Sequence, residues 1–116
     1  MDYRLSVDRK HLLSGLKMFR GPLRKLRGSD TAILGYDGQY FTIEGRGVMV
    51  LAQAFGAWPG NARINGSLIA AFVKIPPAGD PIIVTCDGEH VHFGPAKVGC
   101  AWQPVSKTLL GLPRQR

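Results

Sequence analysis

The same arrangement of residues occurs twice along this chain of 116 residues. An apolar run, an Asp-Gly pair and a second apolar run form AILGYDGQYFTI at 32–43, and the pattern returns as IIVTCDGEHVHF at 82–93. An extended stretch and an amphipathic segment precede each copy, as SVDRKHLLSGLKMF at 6–19 and RINGSLIAAFVKIP at 63–76. A long internal repeat constrains the architecture more than any single motif, because each unit must bury its apolar face against its neighbour.

The repeat and the chain length together predict one α+β domain over residues 1–103. Its two units, 3–55 and 61–103, each follow the order strand, helix and three strands. A chain of 116 residues can bury one core but is too short for two ordinary domains. The remainder, 104–116, is predicted to be a flexible basic tail.

Alternation and turn residues predict where the strands lie. Apolar residues alternate with polar ones from Tyr3 to Val7, which is typical of a half-buried strand. The Asp-Gly pairs at 37–38 and 87–88 predict hairpins with type I′ turns, since such turns need residues that tolerate positive φ. The stretch GAWPG at 56–60, which is rich in turn residues, is expected to lead from the first unit into the second.

The first helix is predicted to have one apolar and one basic face. Asp8 is a suitable N-cap, and leucines and a phenylalanine recur at helical spacing between residues 12 and 19. Lys10 and Lys17 then project from the opposite side. Arg9 and Lys10 lie in the first turn, where the helix dipole disfavours positive charge. Helix stability therefore does not explain them, whereas contact with phosphate would.

The second helix carries less charge. Asn65 or Ser67 can cap it, and the two prolines at 76–77 end it. Lys74 is the basic residue that this helix could add to a surface shared with the first helix.

The net charge favours an anionic partner, with nucleic acid the first candidate. Fifteen Lys and Arg residues stand against eight Asp and Glu, which gives a formal charge of +7. Eight of the fifteen fall between Arg4 and Arg27, and the run after the first helix has no aromatic residue interleaved after Phe19, which suits backbone contact better than base stacking. A solvated basic face that keeps the protein soluble is the alternative. The candidate phosphate contacts are Arg9, Lys10, Lys17, Arg20, Arg24, Lys25, Arg27 and Lys74.

The order strand-helix-three strands, repeated within about 110 residues, resembles one domain of a DNA sliding clamp, the processivity factor of replication. SVDRKHLLSGLKMF, the hairpins YDGQYFTI and CDGEHVHF, and LIAAFVKIPPAGDPIIV are similar to the text of a bacterial beta clamp domain. The resemblance implies a curved antiparallel sheet with two helices packed on one face. It also implies that Arg9, Lys10, Lys17 and Arg20, with Lys74, face duplex DNA.

The chain departs from the family in length. Six such domains form a family ring, with two or three domains in each chain, whereas this chain has one. A ring would therefore require a homohexamer, and the fold could instead act alone without closing a ring.

No sequence motif indicates catalysis, so the chain is not expected to be an enzyme. His90 and His92 share one face of a strand, but no third metal ligand is evident, so neither a metal nor another cofactor is expected.

Cys86 and Cys100 lie in predicted strands, and the sequence leaves open whether they ever pair. Buried thiols, the absence of a secretory signal and the absence of a long apolar run predict a cytoplasmic protein that does not enter membranes.

Three functional hypotheses follow. The first is a non-catalytic clamp-like module that contacts duplex DNA without sequence specificity, with or without a homo-oligomeric ring. The second is a clamp fold that binds another protein and does not encircle DNA. The third is a small metal-binding or ligand-binding protein that uses His90 and His92.

Overall fold

Eight antiparallel strands form a closed barrel in the computed structural model, which describes residues 2–104. The strands are β1 (Tyr3–Val7), β2 (Thr31–Tyr36), β3 (Tyr40–Gly45), β4 (Val48–Ala57), β5 (Gly60–Asn65), β6 (Ile82–Cys86), β7 (His90–Phe93) and β8 (Ala96–Pro104). Their order around the barrel is β1-β4-β3-β2-β5-β8-β7-β6, and β6 pairs with β1 to close it. The α+β class is therefore confirmed. The predicted tail lies outside the described residues apart from Pro104, which ends β8.

Two strands close the barrel, because each pairs with a strand of either half of the chain. β1 pairs with β4 and also with β6, where Leu5 lies opposite Val84. β5 pairs with β8 and also with β2, where Ile64 lies opposite Ala32. The expected curved antiparallel sheet is thus present, and in the structure it closes into a barrel. Alternation predicts which face of a strand is buried, but it does not say which distant strand lies beside it.

Three helices, not two, form one layer against the strands. They are α1 (Arg9–Met18), the short α2 (Arg20–Leu23) and α3 (Gly66–Lys74). α1 packs against β4, α3 packs against β2 and β5, and the three helices contact one another. Leucines of α1 and α2 and two apolar residues of α3 join the strands in one core, contributing Leu12, Leu16, Leu23, Ile69 and Phe72.

The predicted caps and hairpins are present, with a different turn geometry. The Asp8 carboxylate accepts from the backbone N–H of His11 at 2.9 Å, and Asn65 caps α3. In both Asp-Gly hairpins the positive φ falls on the glycine, 99° at Gly38 and 96° at Gly88. Glycine at the first central position is typical of a type II′ turn, so the predicted type I′ is replaced.

The aspartate before each of these glycines acts as an acceptor. Oδ1 of Asp37 accepts from the N–H groups of Gln39 and Tyr40 at 2.8 and 2.7 Å. The N–H of Tyr40, and then that of Gln39, lower the pKa of Asp37. The N–H groups of Glu89 and His90 do the same for the pKa of Asp87. Both carboxylates therefore stabilise their turns when they are ionised.

Candidate nucleic-acid interface

A basic groove of about 710 Å³ lies where α1, α2 and α3 meet. Four exposed cations line it, three from the α1–α2 side and one from the end of α3: Lys17, Arg20, Arg24 and Lys74. Its apolar walls come from both sides as well, through Met18, Pro22 and Val73. The groove is open along its length and has no aromatic residue in its lining. We call these four side chains the groove cations.

The short helix α2 creates the α1 side of the groove. From the sequence, the basic run at 20–30 is expected to be a loop after the first helix. Pro22 instead lies in the first turn of α2, where its missing N–H has no helical partner to lose. α2 begins one residue after the α1 C-cap, Phe19, and therefore turns Arg20 and Arg24 toward α3.

The charge of the groove is not balanced by nearby carboxylates. No Asp or Glu occurs in the sequence from residue 9 to 29 or from residue 45 to 79, which together contain all three helices. Among residues 2–104 the single ion pair within 4.0 Å joins Asp87 and His90, on the β6–β7 hairpin. Among the described residues none of the groove cations forms an ion pair within 4.0 Å, so their electrostatic fields add in the groove.

The structure places the predicted phosphate contacts in three kinds of surroundings, and the third is that of Arg9 alone. Lys17, Arg20, Arg24 and Lys74 come together as the groove cations. Lys10, Lys25 and Arg27 are exposed but do not line the groove. The predicted role of Lys74 as a partner of the first helix thus has a geometrical basis, since it lines the same groove as Lys17.

Arg9 occupies a different environment from the one predicted. Its Nη1 donates to the backbone oxygen of Pro77 at 2.6 Å and to that of Gly79 at 3.0 Å. These two carbonyls belong to the segment between α3 and β6. The cation in the first turn of α1 is therefore explained by a contact some 70 residues away in sequence, and Arg9 is not counted among the groove cations.

His11 takes part in a hydrogen bond with the backbone, and the other two histidines lie on a strand. His11 Nδ1 accepts from the backbone N–H of Gln53 at 3.0 Å, which places its proton on Nε2. His90 and His92 share the outward face of β7, as expected from their spacing. In the part of the chain that the structure describes, no three His, Cys, Asp or Glu side chains lie close enough to hold a metal ion.

A second exposed feature lies on the outer face of β4. Three large apolar side chains of this strand are exposed, Met49, Leu51 and Phe55, the last by 73%. β1 pairs with β4 from residue 54 to 57, so residues 48–53 have β3 as their strand neighbour and α1 along the other edge. Both faces of this strand carry apolar residues in the sequence, so no alternating pattern indicates which face is exposed.

None of the helices within residues 2–104 is long and apolar enough to cross a membrane. No protein-family model, no curated protein and no solved structure matches this chain.

Proposed function

We propose that this protein is a non-catalytic, clamp-like DNA-binding module that contacts duplex phosphates through the groove cations, without reading base sequence. The observation that carries this proposal is the convergence on one open groove of four cations, three from the α1–α2 side and one from the end of α3, none of which forms an ion pair among the described residues. Cationic side chains on an open surface are the usual means of sequence-independent binding to nucleic acid.

The chemistry of the lining favours phosphates over bases. Single-stranded nucleic acid is usually held by aromatic side chains on which bases stack. The groove offers aliphatic walls and flexible cations, which suit backbone oxygens. A duplex presents phosphates at a density that four neighbouring cations can neutralise together.

The strand pairing supports the clamp-like part of the proposal. In each half of the chain the first strand pairs with the last strand of its own half and with the second strand of the other half. The two hairpins that follow the helices are also alike, with an Asp acceptor and a positive-φ glycine in each. These correspondences are what two copies of one βαβββ unit are expected to show.

The proposal is tested by measuring duplex binding as a function of salt. If the groove cations make the phosphate contacts, the slope of log K against log salt concentration is about −3.6. Replacing Lys17 and Lys74 with Gln should reduce the slope to about −1.8 and weaken binding at low salt. A Lys10→Gln variant tests an exposed cation of α1 that does not line the groove.

A matched control removes the same charge from the strand side of the molecule. Arg63 on β5 and Lys97 on β8 are exposed and lie on strands rather than helices. The Arg63→Gln, Lys97→Gln double variant has the same net charge as the groove variant and should keep the original slope. An equal loss in both double variants would show that net charge, not the groove, attracts DNA, and absence of binding at about 50 mM salt would remove the proposal.

The exposed apolar face of β4 favours a second candidate, a module that binds a protein. Met49, Leu51 and Phe55 present apolar surface beside a strand segment that has a single strand neighbour. Such surfaces are typical of association sites, between copies or with another protein. Light scattering behind a sizing column separates the two cases. Six copies of 12.6 kDa would support a ring, whereas a monomer that retains a protein partner after nuclease treatment would favour the second candidate.

A further inference from the structure

Two thiols lie side by side at one end of the barrel. Cys86 is the last residue of β6 and is fully buried, and Cys100, on β8, is half-buried. Their Sγ atoms are 3.8 Å apart. A disulfide bond is about 2.05 Å long, so the sulfurs have to approach by about 1.8 Å to bond.

The β6–β7 turn brings the two cysteines together, although β7 lies between their strands. Cys86 directly precedes the turn, and its Sγ accepts from the N–H of Gly88 at 3.4 Å. The N–H of Cys100 donates to the oxygen of Glu89 at 2.8 Å. The turn at 87–89 therefore contacts the Cys86 sulfur and the backbone of Cys100, so a shift of this turn would move the two cysteines relative to each other.

We propose that Cys86 and Cys100 form a reversible intramolecular disulfide by exchange with a low-molecular-weight disulfide such as oxidised glutathione. The more accessible Cys100, as thiolate, attacks one sulfur of the reagent, whose S–S bond breaks with loss of one thiolate. Cys86 then attacks the Cys100 sulfur of the mixed disulfide and releases the second thiolate. The protein loses two electrons and two protons, and the reagent becomes two thiols.

The surroundings of Cys100 make this exchange slow at neutral pH. Burial, followed by the hydrogen bond with Cys86, raises the pKa of Cys100 to about 12, and the carboxylate of Asp87 acts in the same direction. Because the thiolate is the attacking species, a raised pKa lowers the rate of thiol–disulfide exchange. The equilibrium between the dithiol and the disulfide depends instead on how well the two cysteines fit the geometry of a disulfide. The pair therefore responds to a sustained oxidising environment rather than to a brief one.

The test is to equilibrate the full chain with mixtures of reduced and oxidised glutathione at about pH 8.5, followed by acid quenching. Alkylation in denaturant and mass spectrometry then count the free thiols. The expected product is a monomer with no alkylated cysteine, a mass about 2 Da below the reduced chain, and a cross-linked peptide containing Cys86 and Cys100. The Cys100→Ser variant should keep its remaining thiol free or carry one glutathione, without cross-linking.

The oxidised chain should also resist unfolding. The two residues are 14 positions apart, and closing a loop of about 15 residues should lower the unfolding constant roughly a hundredfold. Unfolding of the wild-type chain in both redox states measures this without any variant. Two glutathione adducts per chain, disulfide-linked dimers, or persistence of both free thiols at mixtures that oxidise the unfolded chain would each overturn the proposal.

Discussion

The approach of α1 to β4 depends on a glycine, and its replacement should be costly. A Cβ atom at Gly15 would lie 2.6 Å from Cγ1 of Val50. Carbon atoms in contact prefer about 3.5–4.0 Å, so the helix or the strand would have to shift by about 1 Å. Val50 is buried and its branched side chain is stiff, which leaves the backbone to move.

The size of the effect follows from two opposing contributions. Forcing an extra methyl group into a packed contact costs about 1–3 kcal/mol. The higher helix propensity of alanine opposes this cost by up to about 1 kcal/mol. We therefore expect Gly15→Ala to lower the free energy of unfolding by as much as about 2 kcal/mol, and urea denaturation followed by tryptophan fluorescence measures it.

Gly21 supplies the matched control. It lies in α2, and a Cβ atom there would meet nothing within 4 Å. Gly21→Ala should change stability less than Gly15→Ala does, because a gain of up to about 1 kcal/mol in helix propensity is opposed by the restriction that Pro22 places on the residue before it. Adding Val50→Ala to Gly15→Ala should relieve the clash and give a favourable coupling energy of at least about 1 kcal/mol. If Gly15→Ala is as stable as Gly21→Ala, the close packing of α1 on β4 is refuted.

Two further predictions concern the turns and the core. The lowered pKa values of Asp37 and Asp87 mean that their contribution to stability is present above the unfolded value of 3.8 and is lost as the pH falls through the lower folded values. Acid unfolding of the Asp37→Asn, Asp87→Asn variant should therefore depend less steeply on pH below about 4. Trp58 is 3% exposed and its Nε1 donates to the oxygen of Leu34 at 3.3 Å. Trp58→Phe should lower the free energy of unfolding by about 1–3 kcal/mol. An unchanged midpoint in thermal or urea unfolding would show that the hydrogen bond from Trp58 to Leu34 does not contribute to stability.

Local features of the fold could be predicted from the sequence because they depend on neighbouring residues. Strand β1, the Asp8 cap and both Asp-Gly hairpins lie where alternation, side-chain acceptors and glycines place them. Each of these predictions uses contacts between residues a few positions apart.

The remaining features depend on distant pairs. The pairing of β1 with β6, which closes the barrel, joins residues such as Val7 and Ile82. The groove exists because Lys74 meets α2 across the helix layer, and no local pattern specifies that meeting. Composition places several cations on α1, but it could not separate Lys17, which lines the groove, from Arg9, which donates to the segment between α3 and β6.

Arg9 and Lys17 provide a final test, because these two of the three cations of α1 are expected to have different roles. Arg9 donates to two backbone carbonyls, and hydrogen bonds from charged donors contribute about 1.5–3 kcal/mol, less where solvent reaches them. Arg9→Gln should therefore lower stability by about 1 kcal/mol and leave the salt slope of DNA binding unchanged. Lys17→Gln should change stability by less than about 0.5 kcal/mol and reduce the magnitude of the slope by about 0.9. If both substitutions act on the slope alike, α1 binds DNA along its whole length and the groove does not define the interface.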